Sequence, residues 1–126
     1  MSFNPFENRS CRDIRNQLGH AFIQAMESGC LEEFSVLARR CLEKNTSPDA
    51  RQYIRYRMTC LSKVLDQTSR RPPDEEQQLK PFALLWEFNL FFECHEWLEK
   101  KWVIASGSEK KALHALILSA VAFEHR

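Results

Sequence analysis

A histidine and a glutamate four residues apart form the most distinctive polar pair in the sequence. They occur in the run His95-Glu96-Trp97-Leu98-Glu99, where His95 and Glu99 would share one face of a helix. Such a carboxylate can fix the tautomer of the imidazole, the pair can supply two metal ligands, or the two groups can act as acid and base. The zinc-protease pattern His-Glu-x-x-His does not apply, because Glu99 stands where the second histidine would be. A third partner must therefore come from another helix.

Two later histidines could supply that third partner. If the helices on either side of the Ser-Gly-Ser run form an antiparallel hairpin, Glu99 faces His114 and His95 faces Leu118. His125 would then lie about seven residues, or roughly 10 Å of helix rise, beyond His95. This spacing alone favours His114 over His125 as the third member of the cluster.

Helical periodicity predicts the elements that must position these residues. Pro81 can begin a helix that pauses near Asn89, and the next helix ends at Ile104, before the break Ser106-Gly107-Ser108. A last helix from Glu109 is apolar on almost every side. Because such a helix must be surrounded, we expect it to be the central element of the domain.

The first half of the chain predicts three amphipathic helices. Ser10 is the expected cap of the first helix, and Gly29 is expected to end it in the left-handed conformation. A second helix ends before Asn45. The run Ser47-Pro48-Asp49 then combines a capping hydroxyl, a first-turn proline and an acid that suits the helix dipole, which predicts the start of a third helix.

Length and composition favour one all-α domain. The chain has 126 residues, of which 44% are hydrophobic, and only three glycines, which argues against barrels and Gly-rich phosphate loops. We expect a single domain over residues 1–126, built as a bundle of five to six helices with a C-terminal antiparallel hairpin. Within it we distinguish an N-terminal helical segment (8–68), a Pro-rich connection (69–80) and the hairpin region (81–126).

Compartment and partners are limited by the same sequence. The first residues lack a secretory signal, and the longest apolar stretch, Ala112–Phe123, is shorter than the ~20 residues that span a bilayer. Five widely spaced cysteines form neither a disulfide framework nor a zinc pattern. The net charge of +1 gives no general attraction to nucleic acid. We expect a cytoplasmic protein with no membrane role.

The second half of the chain resembles the domain of unknown function 309 family. The resemblance covers roughly residues 82–126 and rests on Phe-Asn, His-Glu-x-x-Glu-x-x-Trp and a later helix that ends in His. The family's motif positions fall on Asn89, His95, Glu96, Glu99, Trp102 and His125. The resemblance implies an all-helical bundle without an established activity, and it ranks His125 above His114 as the partner of His95. Phe91 and Ala115 depart from the family, which usually has glycine at both positions.

Our favoured interpretation is that the His/Glu/Trp cluster is a structural polar network. It would support a protein-interaction or oligomerisation role, with another protein or a second copy as the partner. In the first alternative, His95 and Glu99 hold a divalent metal such as zinc, manganese or iron together with His125 or His114. Glu96 would then be the general base of a metal-dependent hydrolase. Whether the protein is an enzyme stays open.

A second alternative is weak binding of RNA or single-stranded DNA. Residues 51–71 carry six basic residues and one acid, with two tyrosines among them. Arg51, Arg55 and Arg57 would contact phosphates, and the tyrosines would stack on bases. Arg51 and Arg55 share a helix face on which Tyr53 does not lie, so the predicted patch is diffuse.

Overall fold

The structure, a computed structural model, describes residues 3–45, 47–68 and 80–124. These residues form six α-helices and no strand, which confirms the predicted all-α fold of five to six helices. The helices are α1 (Arg9–Ser28), α2 (Glu32–Lys44), α3 (Pro48–Thr68), α4 (Lys80–Glu87), α5 (Phe91–Ile104) and α6 (Gly107–Glu124).

The chain separates into two compact units, Met1–Arg70 and Arg71–Arg126. The first contains α1, α2 and α3, and the second contains α4, α5 and α6. The Pro-rich connection predicted over residues 69–80 lies, apart from Lys80, outside the described residues. The single domain expected over residues 1–126 stays a prediction.

The first unit is a three-helix arrangement in which each helix packs against the other two. Its core includes Phe22 of α1 and Phe34 of α2, whose rings meet edge to face with centroids 5.7 Å apart. Ile54 and Leu61 of α3 are fully buried in the same unit. The amphipathic stripes of the sequence therefore form the buried faces of all three helices, as their periodicity predicts.

Three of the four predicted helix boundaries in this unit are confirmed, among them the end of α2 before Asn45. Gly29 ends α1 in the left-handed conformation (φ 73°) with its N–H donating to the Ala25 carbonyl, and α3 begins at Pro48 as predicted. The Ser10 cap is wrong. The side-chain oxygen of Asn8 accepts from the Cys11 N–H at 3.0 Å, so α1 begins earlier and Ser10 lies inside it.

The second unit is organised around α5, which packs against both α4 and α6. Cys94, Trp97 and Leu98 of α5 are buried, and Leu85 of α4 is fully buried in the same unit. The predicted pause near Asn89 is present, because this residue adopts φ 60° in the turn between α4 and α5. Asparagine tolerates this left-handed conformation better than most residues with a side chain.

The prediction that the last helix is the central element is wrong. α6 buries one face, formed by Leu113, Ile117 and Ala120, while Leu118 and Phe123 are exposed. The central position belongs to α5, which packs against both α4 and α6, and a further contact joins α4 to α6, where the Trp86 and Phe123 ring centroids are 4.9 Å apart. Neither α6 nor any other described helix is both long and apolar enough to cross a membrane.

Candidate functional site

His95 and Glu99 lie one turn apart on α5 and contact each other. Nε2 of His95 is 2.9 Å from Oε1 of Glu99, a hydrogen-bond distance. The imidazole is mostly covered, with 20% of its side chain exposed, whereas Glu99 is 51% exposed. The pair predicted from the spacing is therefore present at the edge of the helical hairpin, with the ring inside and the carboxylate partly in solvent.

A second carboxylate, that of Glu124, approaches the same imidazole from α6. Oε2 of Glu124 is 3.9 Å from Nδ1 of His95, which is beyond hydrogen-bond distance, and the Glu124 side chain is only 12% exposed. Nδ1 is buried and makes no hydrogen bond to the described residues. The ring thus lies between carboxylates of two helices, and sequence reasoning missed one of them.

The predicted pairing across the hairpin is wrong, because His95 faces Glu124 and Leu118 is exposed. Counting residues from the hairpin turn shows which residues of the two helices lie at the same height along the helix axes. It does not show which side of each helix faces its neighbour. Glu124 continues the buried series of Leu113, Ile117 and Ala120 at steps of three or four residues. That series was the signal that could have identified Glu124 from the sequence.

His114 lies beside Trp102 rather than in the cluster around His95. The centroids of the Trp102 and His114 rings are 6.4 Å apart, and Nζ of Lys110 is 4.3 Å from the Trp102 centroid. His114 is exposed. The predicted contact of His114 with Glu99 is replaced by this separate group, which includes the motif tryptophan.

The other motif positions lie in different surroundings. Asn89 is exposed in the α4–α5 turn, where its backbone N–H donates to the Trp86 carbonyl at 3.1 Å. Glu96, the candidate general base, is half-buried on α5. His125 lies outside the described residues. Of the motif positions that the structure describes, only His95 and Glu99 come together. Glu124, which is not a motif position, lies beside them.

The described residues do not complete a metal site. Within residues 3–45, 47–68 and 80–124, no group of three His, Cys, Asp or Glu side chains could hold a metal ion. Glu99 and Glu124 approach different nitrogens of His95, so an ion on one nitrogen could not bind both carboxylates. The metal ligands expected with His125 therefore stay a prediction.

Glu93 and Cys94 form a second polar feature in the first two turns of α5. Glu93 is 1% exposed and lies in the first turn, where the helix dipole favours a negative charge. Burial, and secondly the neighbouring Glu93 carboxylate, raise the pKa of the Cys94 thiol to about 12. Cys94 is consequently a thiol rather than a reactive thiolate near neutral pH.

The arginines of the predicted nucleic-acid patch have different environments. Nη1 of Arg51 donates to the carbonyls of Leu42 and Asn45, at 2.6 Å and 3.2 Å, at the end of α2. The Arg57 guanidinium lies 3.7 Å from the Tyr53 ring centroid, whereas Arg55 is exposed. A guanidinium bound to carbonyls and another stacked on tyrosine are less available to phosphates, which weakens this alternative.

Comparison with known proteins gives one finding. Residues 79–126 match the model of the family described as Domain of unknown function (DUF309), which confirms the resemblance. The match covers α4, α5 and α6, so it includes the residues around His95. No curated protein and no solved structure matches the chain.

Proposed function

We propose that the second unit, α4 to α6, is a protein-interaction or oligomerisation module in which His95 ties α5 to α6. The observation that carries this proposal is the position of the imidazole between Glu99 of its own helix and Glu124 of the next. We expect a ring in this position to link the two helices and to fix their relative register. The role of His95 is then structural, and the interaction depends on the surfaces that the hairpin exposes.

The geometry of the ring supports a structural role over a catalytic one. A catalytic histidine needs one nitrogen directed at the reacting group, with the other held by an orienting partner. In this hairpin Nε2 faces Glu99 and the buried Nδ1 faces Glu124. Among the described residues, a carboxylate therefore lies beside each nitrogen of the ring.

The exposed apolar residues of the second unit support the interaction role. Val103, Ile104, Leu118 and Phe123 are large hydrophobic residues that remain exposed on α5 and α6. α6 also has apolar residues on both its buried and its exposed face. Apolar surface of this kind is stabilised when another protein covers it.

A double-mutant cycle between His95 and Glu124 tests the structural role. We expect His95→Ala and Glu124→Ala to be coupled by about 0.5–1.5 kcal/mol in urea unfolding, because each removes the same interhelical contact. The matched control is Glu109→Ala, which removes an exposed α6 carboxylate and should show no coupling. Additive effects of His95→Ala and Glu124→Ala would contradict the proposal.

A divalent-metal site is the second candidate, and one observation favours it. Nδ1 of His95 is buried and makes no hydrogen bond to the described residues, and Oε2 of Glu124 lies 3.9 Å from it. Two ligands of a tetrahedral ion lie about 3.3 Å apart, so a shift of roughly half an ångström would let one ion bind both atoms. Zinc, manganese or iron would then be held here with a further ligand such as His125. Elemental analysis of the purified chain decides the matter. One ion per chain, lost in His95→Ala, would replace the structural proposal.

A further inference from the structure

The tip of the α5–α6 hairpin exposes two consecutive aliphatic residues. We define the tip as residues 100–104, the last turn of α5, and residues 107–111, the first turn of α6. Val103 is 68% exposed and Ile104 is 82% exposed, more than any other large hydrophobic residue described. Trp102, which is partly exposed, precedes them directly. Consecutive positions on a helix point about 100° apart, so Val103 and Ile104 expose apolar surface on two sides of the tip.

The same tip is strongly basic. It contains Lys100, Lys101, Lys110 and Lys111, against the single acid Glu109. Nζ of Lys110 is 4.3 Å from the ring centroid of Trp102, and Nζ of Lys101 is 5.4 Å from that of Trp97. These cation–π contacts place one ammonium group beside the partly exposed Trp102 and another beside the buried Trp97. The tip therefore carries both exposed apolar side chains and positive charge.

We infer that the hairpin tip binds an acidic segment of another protein that carries apolar side chains next to its carboxylates. This inference rests on the interaction role proposed for the second unit and names its surface and partner. Covering Val103 and Ile104 removes apolar surface from water and supplies affinity. The lysines select carboxylates and speed the encounter, because complementary charge steers association.

The composition of the tip favours a protein over the other two kinds of anionic partner. A nucleic-acid backbone offers phosphates to the lysines but little apolar surface to Val103 and Ile104. A lipid bilayer offers both, but the strength of membrane binding grows with the apolar area that is inserted, and two aliphatic side chains supply little of it. A peptide can cover the aliphatic pair and leave the ammonium groups in contact with carboxylates.

A library of random peptides displayed on phage, selected on the immobilised full chain, tests the inference. We expect enriched peptides in which Asp or Glu flanks aliphatic or aromatic residues. Their affinity should fall as salt is added, because screening weakens the lysine–carboxylate attraction. Failure to enrich any peptide, or enrichment of peptides without acidic residues, would overturn the inference.

Variants of the tip connect the peptides to this surface. The charge reversal Lys101→Glu with Lys111→Glu, and separately Val103→Ser with Ile104→Ser, should each weaken binding of the enriched peptides by about tenfold or more. Matched controls are Lys44→Glu and Val36→Ser on α2, which alter an exposed lysine and an exposed valine far from the tip in sequence. Circular dichroism should show the same helix content in every variant.

Two further outcomes would show which part of the inference is wrong. Peptides that bind the tip variants as tightly as the unchanged chain would show that the tip is not the binding surface. The proposed interaction role would still stand. Vesicles of phosphatidylcholine with about 30% phosphatidylserine provide the other arm. Vesicle binding that the tip variants lose, without any enriched peptide, would overturn the protein partner in favour of a lipid surface. Neither outcome depends on the His95–Glu124 cycle, which tests the structural role separately.

Discussion

The ionisable side chains that drew attention in the sequence have mostly local structural contacts. Arg51 binds carbonyls at the end of α2, and Arg57 stacks on Tyr53. His95 lies between Glu99 and Glu124. A residue type shows which chemistry is available, but the surrounding helices decide how it is used. In this chain they direct charged groups toward caps and helix contacts.

The buried thiol of Cys94 gives a pH prediction at this scale. Its pKa is raised from 9.0 to about 12 by burial and, secondly, by Glu93. The folded chain therefore holds this proton more tightly than the unfolded chain, and stability is lost as the pH rises above about 9. We expect the loss in unfolding free energy between about pH 8 and about pH 10 to be about 1 kcal/mol smaller in Cys94→Ala.

Urea unfolding at the two pH values measures this difference. Cys30→Ala is the matched control, because it removes an exposed thiol instead of a buried one. The comparison uses the change with pH, so the cavity left by Cys94→Ala cancels. Identical pH dependence in Cys94→Ala and in the unchanged chain would show that Cys94 ionises equally easily in both states.

At the scale of helices, the sequence predicted where helices begin and end better than it predicted how the helices pack. Gly29 and Pro48 mark boundaries that depend on a few adjacent residues, and both predictions are correct. The α1 cap failed because Asn8 and Ser10, two residues apart, are both suitable capping residues. Register and burial depend on which neighbour a helix meets, and this information is not local.

The site shows the same limit. The contact between His95 and Glu99 follows from helical spacing within one helix, so it was predictable. Glu124 belongs to another helix, and its approach depends on how α6 is rotated against α5. Because the sequence of α6 is apolar on almost every side, it did not indicate which side faces α5. The distinction between its inner and outer faces required the structure.

Two adjacent residues of α6 test which face packs against α5. Ile117 is buried and Leu118 is exposed. We expect Ile117→Ala to lower the free energy of unfolding by about 2–4 kcal/mol, because it leaves a cavity in the core of the unit. Leu118→Ala should lower it by less than about 1 kcal/mol. Chemical denaturation of the two variants compares them directly, and equal losses would mean that α6 is rotated differently.

At the scale of the whole molecule, the aromatic residues divide between the two units. All three tryptophans (Trp86, Trp97 and Trp102) belong to the second unit, and both tyrosines (Tyr53 and Tyr56) belong to the first. Tryptophan fluorescence therefore reports the unfolding of the second unit, and tyrosine absorbance difference reports that of the first. The chain thus contains separate probes for its two units without any added label.

These probes test the expectation of a single domain over residues 1–126. A unit of about 60 residues buries only about 60% of the surface of its unfolded chain and is marginally stable alone. We therefore expect both signals to change at the same urea concentration.

Phe22→Ala, which removes a fully buried ring of the first unit, should lower the tryptophan-detected midpoint as well, with a loss of about 3–5 kcal/mol in the free energy of unfolding. Leu98→Ala in the second unit is the reciprocal variant. If each variant moved the signal of its own unit alone, the chain would contain two independent domains, since cooperative unfolding requires a shared transition.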